Sequence, residues 1–264
     1  MIGLETYGDV TRVHMYSAVS DALGYSVSAY LMRGALIDVG FPSAARELAQ
    51  VLDKLRPEGV LLTHHHEDHA GNVELVARGG VPIAAAQSTI DALRAHSDIG
   101  LYRRVVWGRR TRFTSPISYY SSETLSLVPT PGHSHDHHIV WDRESGTVFA
   151  GDLFLGVKVR MAHHDENPRQ LVDSLRAVAR LGPDRMFDGH RGLVPDAKAK
   201  LIAKADWLDE TIARIEQRAD EGWSDRAITR EVLGREEAEY YVSLADLSRI
   251  NLVRQVRLTR AANA

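Results

Sequence analysis

The apolar positions change their period along the chain, and each change marks an element. Residues 10–16 and 26–32 are β-branched and aromatic runs that predict strands. Arg33-Gly34 reads as a hairpin turn into a third strand over 35–39, which ends in Asp38-Val39-Gly40. Leu48, Val51, Leu52 and Leu55 then recur at helical spacing, with Ser43 as the expected N-cap and Pro57 beyond the end. A short buried strand over 60–62 runs into a histidine-rich segment. After it come a helix over 70–77, a strand over 81–86 and a helix over 88–95. A second round follows: strands over 126–130, 139–141 and 148–150, a turn over 143–146, a helix from Pro168 capped by Asn167, and a strand over 185–187. Mixed strands and helices in two rounds predict an α/β sandwich.

Beyond Pro195 the pattern turns helical. Leu201, Ala205, Leu208, Ile212 and Ile215 form one stripe, and shorter helices are expected over 224–233 and 236–247. The division this suggests is a catalytic domain over 1–195 and a helical extension over 196–264 packed on it. Composition narrows the function classes. The chain has 264 residues and no cysteine, which removes disulfides, thiolate metal sites and cysteine nucleophiles together. Its formal charge of −3 argues against a polyanion binder as a whole. No run approaches a membrane span and the N-terminus lacks a secretory pattern, so a cytoplasmic protein is expected.

Histidine is the anomaly. Eight of the 13 fall within 64–69 and 133–138, where even scattering would place fewer than one. Thr63-His64-His65-His66-Glu67-Asp68-His69 joins the end of an apolar strand to the start of a helix, and its imidazoles and carboxylates suit a cation held by nitrogen and oxygen. Pro131-Gly132-His133-Ser134-His135-Asp136-His137-His138 again lies between strands, while Asp152 and His190 each end one. Strand ends in a layered α/β fold can converge on one edge.

His64-x-His66-x-Asp68-His69, followed in order by His133, Asp152 and His190, resembles the metallo-β-lactamase-fold hydrolases over roughly residues 10–195. The resemblance implies a four-layered αβ/βα sandwich with a C-terminal helical extension and a metal site at the edge of the two sheets. It implies that His64, His66 and His133 hold one ion, that Asp68, His69 and His190 hold a second, and that Asp152 bridges them. Asp38 would then stand beside the site without binding an ion, and His137 would pack behind it. His65 and Glu67 fall between the ligand positions. His14 and His96 are expected to be surface or packing residues. Two Zn2+ are expected, with iron or manganese as alternatives for this donor set. By the same resemblance, two such ions would supply a hydroxide able to attack a carbonyl or phosphoryl centre, and Asp68 would orient it or accept its proton as the catalytic residue.

Within that family the segment 152–156, the Pro168 helix, residues 189–200 and the helical tail are most similar to the lactamase-beta-two-like branch. The expected reaction is hydrolysis of a small carbonyl substrate (a thioester, ester or lactone), with β-lactam cleavage as a side activity. The alternative is a phosphodiesterase or endoribonuclease. Residues 102–113 carry five arginines and no acid among aromatics, so Arg109 and Arg110, with His163 and His164, are expected to contact substrate. The competing reading of that stretch is an exposed loop, a hairpin or a subunit contact, the last consistent with a homodimer. The balance of 13 basic and 13 acidic residues from Arg191 onward weighs against nucleic acid as the partner.

Overall fold

A computed structural model describes residues 1–95, 99–159, 161–236, 240–241 and 243–261. Two mixed sheets face each other. The first has six strands in chain order: β1 (Ile2–Tyr7), β2 (Val10–Met15), β3 (Val27–Met32), β4 (Ala35–Ile37), β5 (Gly59–Leu61) and β6 (Ile83–Ala84). Its first four strands run antiparallel, while β4, β5 and β6 run parallel. The second sheet comprises β7 (Leu125–Pro129), β8 (His138–Asp142), β9 (Thr147–Phe149), β11 (Arg185–Asp188) and β12 (Gly192–Val194), in the order β12-β11-β9-β8-β7. Only β9 and β11 pair in parallel there. A separate two-stranded ribbon joins β10 (Ala162–His163) to β13 (Leu247–Ser248).

The layers follow from the alternation of side chains along a strand. Tyr30 and Met32 of β3, Ala35 and Ile37 of β4, Val140 of β8, Phe149 of β9 and Phe187 of β11 point between the sheets and form one buried cluster. Their neighbours point outward: Val27, Ala29, Leu36 and Val60 into a second cluster, and Ile139, Val148 and Met186 into a third. Three cores separate four layers, so the sandwich is αβ/βα.

Helices cover the outer faces. Sheet one carries α1 (Ala18–Ala22), α2 (Ala45–Leu55), α3 (Glu67–Ala70), α4 (Val73–Arg78), α5 (Gln87–Ala95) and α6 (Leu101–Trp107). Sheet two carries α7 (Pro168–Leu181), α8 (Ala197–Asp220), α9 (Asp225–Ile228) and α10 (Arg249–Ala261). The stripe Leu201, Ala205, Leu208, Ile212 and Ile215 of α8 packs into the same cluster as Leu171 and Leu175 of α7. At the start of α7 the Asn167 side chain accepts from the N–H groups of Arg169 and Gln170, and Gly182 closes its end in a left-handed conformation.

Several expectations need correction. Ser43 does not cap α2: a 3-10 turn over Pro42–Ala44 precedes that helix, and the Ser43 hydroxyl donates instead to the carbonyl of Trp107. The arginine-rich stretch begins as α6. Its buried Tyr102, Val106 and Trp107 bind it to sheet one, with Val105 left outside. The helix expected over 236–247 is absent at its end, where Leu247 enters β13; residues 237–239 and 242 lie outside the described residues, as does His96. The C-terminal helix α10 buries Val253 and Val256. Among the described residues no helix is long and apolar enough to cross a membrane.

Candidate metal centre

The parallel strands deliver the site. His64 lies three residues beyond the end of β5, His66 directly precedes the single turn α3, and Asp68 and His69 lie within that turn. His133 comes from the β7–β8 connection, Asp152 follows β9, and His190 follows β11. Donor atoms of His64, His66, His133 and Asp152 lie within 4.8 Å of one another, and so do those of Asp68, His69, Asp152 and His190.

Asp152 belongs to both groups and divides its oxygens between them. Its Oδ1 is 3.1 Å from His69 Nε2 and 3.3 Å from His190 Nε2, and its Oδ2 is 3.4 Å from His133 Nε2. Asp68 Oδ2 stands 3.6 Å from His190 Nε2 and 3.9 Å from His69 Nε2. On the other side, His133 Nε2 and His66 Nδ1 are 3.0 Å apart.

The ring atoms facing away from the centre are tied down, which fixes the orientation of the donors. Asp38, held in a left-handed conformation (φ 61), accepts from His69 Nδ1 and from the Thr63 hydroxyl through Oδ2, and from the Thr63 N–H through Oδ1, each at 2.8 Å. His64 Nδ1 lies 3.0 Å from the Thr63 hydroxyl, and His190 Nδ1 donates to the carbonyl of Ser26 at 2.6 Å. His137 accepts the Asp152 N–H on Nε2 at 3.1 Å, so its Nδ1 carries the proton shared with Thr130 Oγ1 at 2.9 Å. Two glycines make room. A Cβ on Gly151 would come within 2.8 Å of His137 Nε2, and one on Gly189 within 2.6 Å of His69 Cε1 and 2.9 Å of Asp152 Oδ1.

Whether these residues suit a cation can be judged from what they leave unpaired. His64 Nε2, His69 Nε2 and Asp152 Oδ1 are buried without an aligned hydrogen bond. Each such atom costs about 1–3 kcal/mol. Three at one point, with the Nδ1 atoms of both histidines already partnered, match a bound cation. The protonation pattern agrees. Burial pushes His64 and His66 well below the ordinary imidazole range. His69 is buried and His190 half-buried, but Asp152 and Asp68 raise both, His190 to about 9. Burial works against the Asp152 charge too, yet His69 and His190 hold its carboxyl well below the usual range. Burial and the neighbouring His133 hold His137 neutral, with its pKa down at about 3.

A cavity of about 540 Å³ opens onto His66, Asp68, His133, Asp152 and His190. The expected substrate contacts divide here. His163 lines the cavity, with Nε2 2.9 Å from Asp246 Oδ1, and two carboxylates, Asp165 and Asp246, raise it to about 9 against its burial. His164 is exposed and does not line it. Arg109 and Arg110 do not line it either. Arg109 is exposed, and the buried Arg110 donates to the carbonyl of Ala92 at 3.0 Å. The arginine of that stretch at the cavity is Arg103, one helical turn from Trp107, which forms a two-point ion pair with buried Glu67 at 2.6 Å.

Sequence reasoning missed four supporting residues. Glu67 anchors Arg103; Asp136 accepts from the N–H and ring of His65 at 2.9 and 2.8 Å; Glu166 faces His133 Nδ1 at 3.4 Å. The fourth, Lys204, lines the cavity from α8, and burial lowers its pKa to about 8. A lysine within an otherwise apolar helical stripe was the available signal for it.

Residues 23–190 match the family model described as the metallo-beta-lactamase superfamily. The chain belongs to that superfamily. Its members are generally hydrolases and typically hold metal ions. A Caenorhabditis elegans protein named beta-lactamase-like protein 2 homolog is 24% identical, across 92% of this chain and 86% of its own length. A Rhodospirillum rubrum hydroxyacylglutathione hydrolase is 30% identical over 70% of this chain and 68% of its own. Among solved structures, a metallo-beta-lactamase family protein of Thermus thermophilus superposes with a TM-score of 0.64 at 19% identity, covering 90% of this chain and 89% of its own. A metallo-beta-lactamase from Pontibacter korlensis gives 0.59 at 15%, covering 79% and 99%. At these identities the structures establish the shared fold.

Proposed function

We propose that the protein is a dinuclear metal-dependent hydrolase acting on a small carbonyl substrate, a thioester, ester or lactone. The observation that carries this reading is Asp152, whose two oxygens face different histidine groups at 3.1 to 3.4 Å. In this reading His64, His66 and His133 hold one ion, Asp68, His69 and His190 the other, and Asp152 both. Donors of nitrogen and oxygen without sulfur favour zinc. Two divalent ions bound there would supply Lewis acidity and lower the pKa of coordinated water to about 7. The chain's own part is orientation and proton handling. Asp68, partly open to the cavity, is placed to take the proton from an attacking water at a carboxylate oxygen. Tyr102, Val106 and Trp107 on one wall and Leu155 on another give an acyl or aromatic group an apolar surface. The Rhodospirillum rubrum relative, named as a hydroxyacylglutathione hydrolase, supports placing thioesters first.

The phosphodiesterase alternative has less support from the arginine-rich stretch. Arg103, Arg110 and Arg112 direct their guanidinium groups to Glu67 and to the carbonyls of Ala92 and Arg94. The deciding experiment is elemental analysis of the purified protein alongside assays on chromogenic thioesters, esters, lactones, a β-lactam and single-stranded RNA. Two zinc ions per chain and chelator-sensitive carbonyl hydrolysis are expected. Two ions with no turnover would make the centre structural, and preferential RNA cleavage would install the alternative.

A further inference from the structure

A polar side chain of the C-terminal helical layer reaches the turn that follows Asp152. Lys204 sits on α8 among Leu201, Ala205 and Leu208, buried with them against sheet two and 3% exposed. Its ammonium donates to the carbonyl of Leu153 at 2.9 Å and to that of Phe154. Both partners are backbone carbonyls rather than a carboxylate, an unusual use of a buried charge. An apolar side chain would continue the stripe without the desolvation that an ammonium suffers there.

The two carbonyls belong to a particular turn. Leu153 and Phe154 directly follow Asp152, and the turn is built on left-handed residues: Gly151 (φ 49), Leu155 (φ 46) and Gly156 (φ 102). Leucine is a poor occupant of that conformation. A turn of this kind keeps its shape only where its surroundings impose it. From one side His137 accepts the Asp152 N–H at 3.1 Å; the Leu153 N–H closes the turn on the Ala150 carbonyl at 3.0 Å, and beyond it Lys204 ties the carbonyls of Leu153 and Phe154. The residue whose two oxygens must face different histidine groups is thereby held at both ends.

We propose that Lys204 is a positioning residue of the metal centre: by tying the carbonyls of Leu153 and Phe154 it keeps the Asp152 carboxylate in its bridging orientation. The matched family span ends at residue 190, so this contribution comes from the helical layer beyond it. The inference rests on the metal reading above.

The test is a zinc titration of the metal-free full chain, read by competition with a chromophoric chelator, for the parent, Lys204→Met and Lys200→Met. Lys200 is exposed on the same helix and serves as the control. Lys204→Met is expected to bind zinc about 10–100-fold more weakly, the usual cost of removing a partner behind a metal ligand. Lys200→Met should match the parent. Thermal unfolding in chelator separates this from general destabilisation, because a merely structural role lowers stability and leaves zinc affinity in the folded protein unchanged. Should Lys204→Met not fold, Lys204→Leu, which also removes every donor, is titrated by the same criterion. Since the chain has no cysteine, Lys204→Cys can be alkylated uniquely with an aminoethyl group before refolding, rebuilding the ammonium. Recovery of most of the lost affinity supports the inference. Unchanged zinc affinity in the folded variants, or no recovery on aminoethylation, overturns it. A parent that binds no zinc sinks the metal reading itself, whereas a parent binding two ions beside an unaffected Lys204→Met sinks this inference alone.

Discussion

The two halves of the centre share Asp152 and otherwise differ in charge. Around His64 and His66 the donors are imidazoles, and burial keeps them neutral. Around His69 and His190 stand Asp68, Asp152 and, behind His69, Asp38; there burial is overcome and both imidazoles hold protons more tightly than usual. His133 is intermediate, raised against its burial by Glu166 and Asp152. One residue type thus serves as a neutral donor in one half and a proton carrier in the other. Its charge state follows the carboxylates within reach, not its own chemistry. In the dinuclear reading proposed above, a cation in the first half would meet neutral donors at His64 and His66, whereas one in the second would displace protons.

The most severe way to break this asymmetry is to remove what the halves share. Asp152→Ala is expected to lose both ions and to lower hydrolysis by at least about 10³-fold, in line with the several kcal/mol that metal assistance supplies. Elemental analysis and a thioester assay check it, and two retained ions would refute the bridging role. Next come the halves separately. Asp68→Ala and His66→Ala should each fold with close to one ion per chain, and Asp68→Ala should abolish turnover because it also removes the proton acceptor. Wild-type rates in Asp68→Ala would remove that residue from the mechanism. A milder probe is Asp38→Asn, which tolerates the left-handed backbone but alters the acceptor for His69 Nδ1. Zinc affinity in the second half should fall about 10–100-fold while the first half is unaffected; equal weakening of both would erase the distinction.

The smallest expected effect is on stability against pH in the metal-free protein. His64, His66 and His137 have pKa values below 6.5 in the folded chain, so their share of stability is present above that pH and lost as it falls, for His137 toward about 3. His69 and His190 have raised values, so their share is present below 6.5 and lost as pH rises, for His190 through about 9. Thermal unfolding in chelator should therefore peak near pH 6.5 and fall by several degrees on either side. Saturating zinc should reverse the alkaline limb, because the metal-loaded form binds fewer protons. A midpoint that climbs steadily from neutral to alkaline pH without metal would count against the charge assignment.

Legibility along the chain tracks how local the cause is. The strands β2, β3, β8 and β9 were readable because each alternates residues between two buried faces. The α7 start was readable because Asn167 and Pro168 act within one turn. β1 was not, since it is an edge strand with an exposed middle and no apolar alternation. Nor was α6, whose arginines hid a buried face of Tyr102, Val106 and Trp107. The partners of those arginines are set by distant segments: Glu67 for Arg103 and the Ala92 carbonyl for Arg110.

What the sequence by itself determined is the donor inventory and its local spacing: His64, His66, Asp68 and His69 on one strand-to-helix junction, with His133, Asp152 and His190 at later strand ends. Residue chemistry and backbone periodicity are properties of short segments, and they survive without the fold. Only the tertiary structure decided that Asp152 turns one oxygen to each half, that Asp38 and His137 fix its neighbours, and that Lys204 arrives from a helix about fifty residues away to clamp the same turn. Those facts depend on angles and burial created when separate strands and helices meet, and electrostatics at such close range is set by that meeting.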